Sequence, residues 1–314
     1  MQKNKSFYKK PLVVCLLATA CCALWGSAFP SIKTGYMLFE IPSSDSFSQI
    51  LFAGIRFFLA GLLTIIFGSA LSKKILLPKK SSLPKTALLA LFQTVLQYVF
   101  FYIGLAHTTG TKGSVLNSTS VFFAVIISSL IFRQERLNAS KLAGCVIGFA
   151  GTVIINLSLG GFEADMSFLG EGFIILSSLS YAVSSVLIKR FSAFESPVVL
   201  SGYQFAIGGI AMAIFGIAFG GRLTVVTVKG ILLLLYLAFV SAAAYTLWGV
   251  LLKHNEVSRV TVYGFMTPVF GCIMSAVFLK ESASQSAVQT ILSLVLVCIG
   301  IYLVNKKEKD VNYD

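Results

Sequence analysis

Ten apolar stretches of about 20 residues each divide this chain: 12–31, 48–71, 86–106, 113–132, 140–157, 169–188, 197–219, 229–252, 260–279 and 286–304. A helix of roughly 20 mostly apolar residues crosses the hydrocarbon core of a bilayer. An isolated strand cannot satisfy its backbone in lipid, and no stretch shows the alternation of a barrel strand, so all ten read as membrane-spanning helices. Of 314 residues, 56% are hydrophobic and only 12% charged, which excludes a disordered chain, a coiled coil and an ordinary soluble enzyme. The basic start, Lys3 to Lys10 ahead of Leu12, imitates a secretion signal, but nine further stretches follow it and it reads as the first permanent span.

The basic residues fix the expected orientation. Outside the spans, 19 Lys and Arg fall on one side of the alternating chain and five on the other, with Arg56 inside span 2. Lys and Arg concentrate on the cytoplasmic side of membrane proteins. Both termini are therefore expected in the cytoplasm of a multi-pass plasma-membrane protein. The same bias explains the formal net charge of +13 without nucleic acid. The six cysteines (Cys15, Cys21, Cys22, Cys145, Cys272, Cys298) lie in apolar stretches without metal-ligand spacing, so no disulfide framework or metal site is expected.

The chain also repeats itself. Residues 52–68 (FAGIRFFLAGLLTIIFG) resemble 200–216 (LSGYQFAIGGIAMAIFG) at an offset of 148. Residues 132–144 match 278–290 at an offset of 146, pairing Glu135 with Glu281, and 25–33 parallel 181–189 at an offset of 156, pairing Lys33 with Lys189. Each half holds five spans, an odd number, so the second enters the membrane from the opposite side, as in inverted-repeat transporters. The expected organisation is a first five-helix repeat with its cytoplasmic tail in 1–157 and an external linker in 158–168. A second repeat follows in 169–305, and a cytoplasmic tail in 306–314.

On WGSAFPSIK (25–33), IRFFLAGLL (55–63), LIFRQERLNASKLAGCVIGFAGTVIIN (130–156) and TPVFGCIMSAVFLKE (267–281), the chain resembles EamA-type members of the drug/metabolite transporter superfamily. It departs from the pattern at Phe122, where the family often has Pro, and at Gln204, the counterpart of Arg56. The resemblance implies an all-α bundle of ten helices around a central cavity that exports or exchanges small metabolites such as amino acids.

Polar residues inside spans are costly and tend to face a cavity or a neighbouring helix. Gln93 and Gln97 share a face of span 3 with Tyr98 and Tyr102 beside them; Ser114, Asn117 and Ser118 lie close together on span 4. Span 6 carries Ser177, Tyr181, Ser184 and Ser185, and span 8 carries Ser241, Tyr245 and Trp248. A lone Ser or Gln also serves by bonding a neighbouring helix, but taken together these stripes mark a pathway lined by spans 1, 3, 4, 6, 8 and 9. Spans 5 and 10 are more uniformly apolar and are expected to face lipid or pack structurally, with Gly144 and Gly148 marking a close contact. Trp25, Tyr98, Tyr102, Tyr181, Tyr245, Trp248 and Tyr263 offer rings and polar edges to a solute, whereas Tyr36 and Tyr302 fit an interfacial belt. Pro30 and Pro268 sit inside spans, where each frees a carbonyl. Lys33 and Lys189 lie at opposite faces, where they act in gating or orientation or simply reach the surface. Arg56 either anchors a substrate carboxylate or snorkels to bond span-end carbonyls, the structural role being favoured.

All twelve carboxylates lie in loops, tails or span ends, so no intramembrane proton relay is expected. No nucleotide-binding loop or catalytic constellation occurs either. The expected protein is a permease, monomer or homodimer, moving a neutral or zwitterionic solute without a cofactor. A sugar-phosphate or nucleotide-sugar exchanger using Lys33, Arg56 and Lys189 is the alternative, and a membrane-embedded enzyme or structural subunit the more distant one. A C-terminal fusion is expected to fluoresce with a cytoplasmic reporter and to be inactive with a reporter that works only outside the cell; the opposite result would overturn the orientation.

Overall fold

The computed structural model describes residues 7–108, 110–156, 167–279 and 287–306. Glu281, most of the expected linker 158–168 and most of the tail 306–314 lie outside them. The described residues form ten apolar helices: α1 (Pro11–Leu38), α2 (Ser46–Ser72), α3 (Lys80–Leu105), α4 (Gly113–Ile131), α5 (Ala139–Asn156), α6 (Phe168–Phe191), α7 (Pro197–Ala218), α8 (Val228–His254), α9 (Val257–Met274) and α10 (Val288–Asn305).

The helix starts follow local chemistry. Pro11 and Pro197 open α1 and α7, where a missing N–H costs nothing. The side chains of Asp45, Ser167 and Thr227 accept from the backbone N–H of Ser48, Gly170 and Gly230 at 3.0, 2.9 and 3.0 Å. The first span was expected to end near residue 31, but α1 continues to Leu38 with Pro30 inside it. Ser31 and Thr34 donate to the carbonyls of Ser27 and Pro30 at 2.8 and 3.0 Å, which keeps the turns around the proline hydrogen-bonded. Tyr36, expected at the interface, turns inward onto Phe52 with ring centroids 5.6 Å apart.

Helix partners follow the repeat. α2 packs on α7 and α5 on α10, each helix against its own counterpart. α1 packs on α8 and α9, and its counterpart α6 packs on α3 and α4. Two five-helix units related by a twofold axis in the membrane plane would give this pattern. The α2–α7 seam is made of backbone: a Cβ on Gly54, Gly61 or Gly209 would lie 2.5, 2.5 and 2.3 Å from the backbone nitrogens of Ala213, Ala206 and Phe58. Gly144 and Gly300 meet in the same way, each built Cβ falling 2.7 and 2.6 Å from the other's carbonyl oxygen. The Gly144/Gly148 pair thus works within the bundle. Small residues let helices approach where lipid offers no hydrophobic drive.

Contacts also sort the helix ends. Asn255, at the end of α8, donates to the Tyr8 carbonyl, Asn305 of α10 to that of Arg259, and Lys79 to that of Phe194. Tyr8 and Asn305, near the two limits of the described residues, therefore share one face, which also carries most of the described Lys and Arg and is called the basic face below. The outward sides of the helices expose large apolar residues such as Ile66, Phe67, Ile214, Ile217, Val295 and Tyr302, an outer surface that suits lipid and not water. Inside, three apolar clusters meet, and Trp25 packs against all three.

A methyl at the tightest point of the seam, Gly209→Ala, forces backbone apart and should cost roughly 1–3 kcal/mol. Thermal unfolding in detergent will show the loss, while Gly220→Ala, at a site with open space but φ of +94°, should cost about 1 kcal/mol from backbone strain alone.

Candidate functional site

Trp25 of α1 is the hub of the bundle centre. Its ring meets the rings of Tyr245 and Trp248 edge-on, at 5.0 and 4.9 Å between centroids. Tyr245 and Trp248 are three residues apart on α8 and so present neighbouring side chains. From α3, the Tyr98 hydroxyl lies 2.7 Å from that of Tyr245, and Gln97 Nε2 donates to the same hydroxyl at 3.5 Å. Tyr102 sits one turn beyond Tyr98, with centroids 6.2 Å apart. Helix α3 carries a π-turn at Leu91–Leu96, just before these residues; such turns often accompany functional sites.

Trp248 and Tyr245 are buried here, whereas Trp25, Gln97, Tyr98 and Tyr181 are only half-buried. The packing leaves polar atoms over: Trp25 Nε1, Trp248 Nε1, Gln93 Oε1 and Gln97 Oε1 are buried with no hydrogen-bond partner. Buried polar groups in folded proteins are nearly always paired, and the exceptions call for water, an ion or a ligand.

Arg56 is only 2% exposed and does not reach the interface. Its Nε donates to Ser241 Oγ at 3.1 Å and to the Leu237 carbonyl at 3.3 Å, both within α8, and its guanidinium lies 5.2 Å from the Phe57 ring centre. Snorkelling to span-end carbonyls is thereby corrected: the carbonyl it finds is in mid-helix. Its counterpart Gln204 accepts from Thr94 Oγ1 at 2.6 Å on α3, itself the counterpart of α8. Arg56 and Gln204 differ in charge but make equivalent polar links between the halves.

The remaining predicted residues are placed as follows. Ser184 and Ser185 donate to the Tyr181 carbonyl, at 2.7 and 3.0 Å, and Ser118 to that of Ser114 at 3.1 Å, so these hydroxyls serve their own helices. Helix α4 breaks after Asn117, and Ser178 of α6 donates to the carbonyls of Leu116 and Asn117 at 3.2 and 3.3 Å. At the repeat offset of 146, Asn117–Thr119 falls on Tyr263–Phe265, where α9 tightens into a 3₁₀ turn just before Pro268. The Tyr263 carbonyl accepts from Cys22 Sγ at 3.2 Å. Pro30 lies buried within α1, Lys33 is exposed on the last turns of α1, and Lys189 Nζ donates to the Asn255 carbonyl at the basic face.

A second polar centre escaped the sequence reading. The Glu135 side chain is fully buried in the α4–α5 loop and accepts from Ser128 Oγ at 2.5 Å, Lys141 Nζ at 2.8 Å and the Ser258 backbone N–H at 3.0 Å. The Ser258 hydroxyl donates to it as well. Lys141 also pairs with Glu256 at 3.0 Å, and Glu256 with Arg259 at 3.3 Å. The first half is thus tied to the second across the basic face. In sequence, Glu135 stood out only through its repeat pairing with Glu281; Ser128 and Lys141 are close to it in the chain, but Ser258 and Glu256 lie more than 100 residues away.

The sequence pattern of the EamA-like transporter family matches residues 12–157 and again residues 168–306. An uncharacterized transporter of Archaeoglobus fulgidus is 28% identical over 95% of this chain and 99% of its own length. The uncharacterized transporter YvbV of Bacillus subtilis is 28% identical, covering 94% and 92%. A WAT1-related chloroplastic protein of Arabidopsis thaliana is 24% identical, covering 90% of this chain and 67% of its own. A solved crystal structure superposes with a TM-score of 0.74 over 93% of this chain and 97% of the other, at 18% identity, and so shares the fold.

Burial raises the Glu135 pKa, but the hydrogen bonds from Lys141, Ser128 and Ser258 and the Lys141 charge outweigh it and hold the carboxyl below its ordinary 4.5. A lowered folded pKa means that the stabilisation is complete above 4.5 and is lost as pH falls through the folded value. Wild type should therefore be more stable than Glu135→Gln at neutral pH by roughly 3 kcal/mol, seen as a higher unfolding temperature, and the gap should close on acidification. A gap independent of pH would show that the carboxylate charge does not hold this contact.

Proposed function

Because this chain belongs to the EamA-like transporter family, we propose that it is a permease that carries a small organic metabolite, an amino acid or similar neutral or zwitterionic solute, by alternating access. Its ten apolar helices and its transporter relatives make it a multi-pass membrane transporter. Residence in the plasma membrane, with both termini in the cytoplasm and net export or exchange, completes the proposal.

One observation carries the reading: the ring cluster of Trp25, Tyr98, Tyr245 and Trp248 sits between helices of both halves and holds buried N–H and C=O groups without partners. A solute that enters here can take up those groups, and it does so only where both halves contribute. The rings supply apolar and cation-accepting faces, and the hydroxyls and amides supply direction. The basic-face contact of Glu135 with Ser258 joins the halves on one side of the cluster. In the proposed cycle this contact breaks when the site opens toward that side and forms again when it closes there. Each arrangement exchanges one set of polar contacts for an equivalent set, which keeps the two states close in free energy. The spans carry no mid-membrane carboxylate, so the cycle runs as facilitated transport or exchange without a proton relay of that kind.

Purified protein in liposomes should move at least one amino acid in counterflow, with a rate indifferent to an imposed pH gradient. Trp25→Ala should lower that flux at least tenfold while the protein stays monodisperse. Flux of sugar phosphates with none of amino acids would replace this reading with the exchanger.

A further inference from the structure

Arg56 presents a charge that the described protein does not balance. It is 2% exposed, well inside α2, and among the described residues it forms no ion pair. Arginine cannot shed its proton in a protein, so the charge persists in a low-dielectric setting. Its Nε takes the Leu237 carbonyl and the Ser241 hydroxyl, and Ser241 sends its own proton to Leu237 at 3.1 Å. The other polar groups near it are the hydroxyls of Tyr36, Tyr98, Tyr102 and Tyr245, none of them an acid, and that of Tyr102 is hydrogen-bonded to it. The two terminal nitrogens carry four further N–H donors in the planar fork that matches a carboxylate. A purely structural arginine in a bundle is expected to meet an acid or a ring of carbonyls. This one meets a single mid-helix carbonyl, a serine, the Tyr102 hydroxyl and the ring of Phe57, all neutral groups, and it lies near the tyrosines of the central cluster.

Resting on the transport reading, we infer that the solute carries a carboxylate and that Arg56 is the residue that reads it, with the Trp25, Tyr245 and Trp248 rings receiving the rest of the molecule. Tyr245 joins the two parts, since its ring touches Trp25 and its hydroxyl touches Tyr98. A single central cation suits one carboxylate better than a doubly charged phosphate. Lys33 and Lys189 lie at opposite ends of the bundle, and Lys189 is tied to the Asn255 carbonyl. The amide or ester of the same solute would leave the guanidinium unbalanced and would be rejected.

The chain has only two tryptophans, Trp25 and Trp248, and both line this site, so intrinsic fluorescence reports its occupancy directly. The probes are two matched pairs without fluorescence of their own: leucine with leucinamide, and 4-methylpentanoate with 4-methylpentanamide. In detergent-solubilised wild type, the acid of at least one pair should bind tenfold or more tighter than its amide. Arg56→Gln should abolish that gap by weakening the acid alone, and Arg56→Lys should retain part of it. The inference is overturned if both amides bind as well as their acids, if no probe shifts the emission, or if a folded Arg56→Gln keeps the gap. The wild-type comparison decides the matter even if the variant does not fold. Liposome flux is a separate readout: flux without acid preference refutes this inference and spares the transporter, whereas acid preference without flux of any solute refutes the transport cycle and spares the site.

Discussion

The backbone contact between α2 and α7 is the interaction on which the rest of the architecture depends. Gly54, Gly61, Gly202 and Gly209 bring the two main chains so close that any side chain on the seam would meet a neighbouring residue, backbone at most of these positions. In lipid there is little hydrophobic drive for one apolar helix to prefer another, so close approach and interhelical hydrogen bonds select the partners. The seam joins counterpart helices, as does the one between α5 and α10. With those two pairs fixed, α1 falls against α8 and α9, and α6 against α3 and α4. The polar-aromatic centre is a consequence of that arrangement, because Trp25, Tyr98 and Tyr245 come from three helices that only the seams bring together.

The centre and the basic face use polarity in opposite ways. At the basic face Glu135 has its acceptors filled by Lys141, Ser128 and Ser258, a network whose members satisfy one another. At the centre Arg56 has no ion-pair partner among the described residues, and two indole N–H groups are left over. A protein that only had to stay folded would do better to reverse these assignments, since unmatched polar groups in lipid are the more expensive. The imbalance is understandable where a passing solute completes the hydrogen bonds and then leaves.

Much of this was legible in the chain and some was not, for identifiable reasons. The ten spans stand out because hydrocarbon demands length and apolarity together. The boundary of the first was misplaced at Pro30, where hydroxyls of Ser31 and Thr34 sustain the helix. Polar spacing picked out Gln97, Tyr98, Tyr245 and Trp248, which the structure brings together, but it also picked out Ser118 and Ser184, which bond within their own helices. A hydroxyl's partner is a matter of a few ångströms, finer than helical spacing resolves. Glu135 was passed over as a loop residue because its partner Ser258 is 123 residues distant.

Hydropathy by itself determined that the chain is a bundle of ten membrane helices, because hydropathy answers to the bilayer and acts on each segment separately. Tertiary structure alone decided which polar side chains are satisfied and which are not. Arg56 facing α8 in mid-membrane, Gln204 making the matching link to α3, and the open indole groups beside Tyr245 all arise from pairings between distant segments, and no local property of the sequence encodes a pairing.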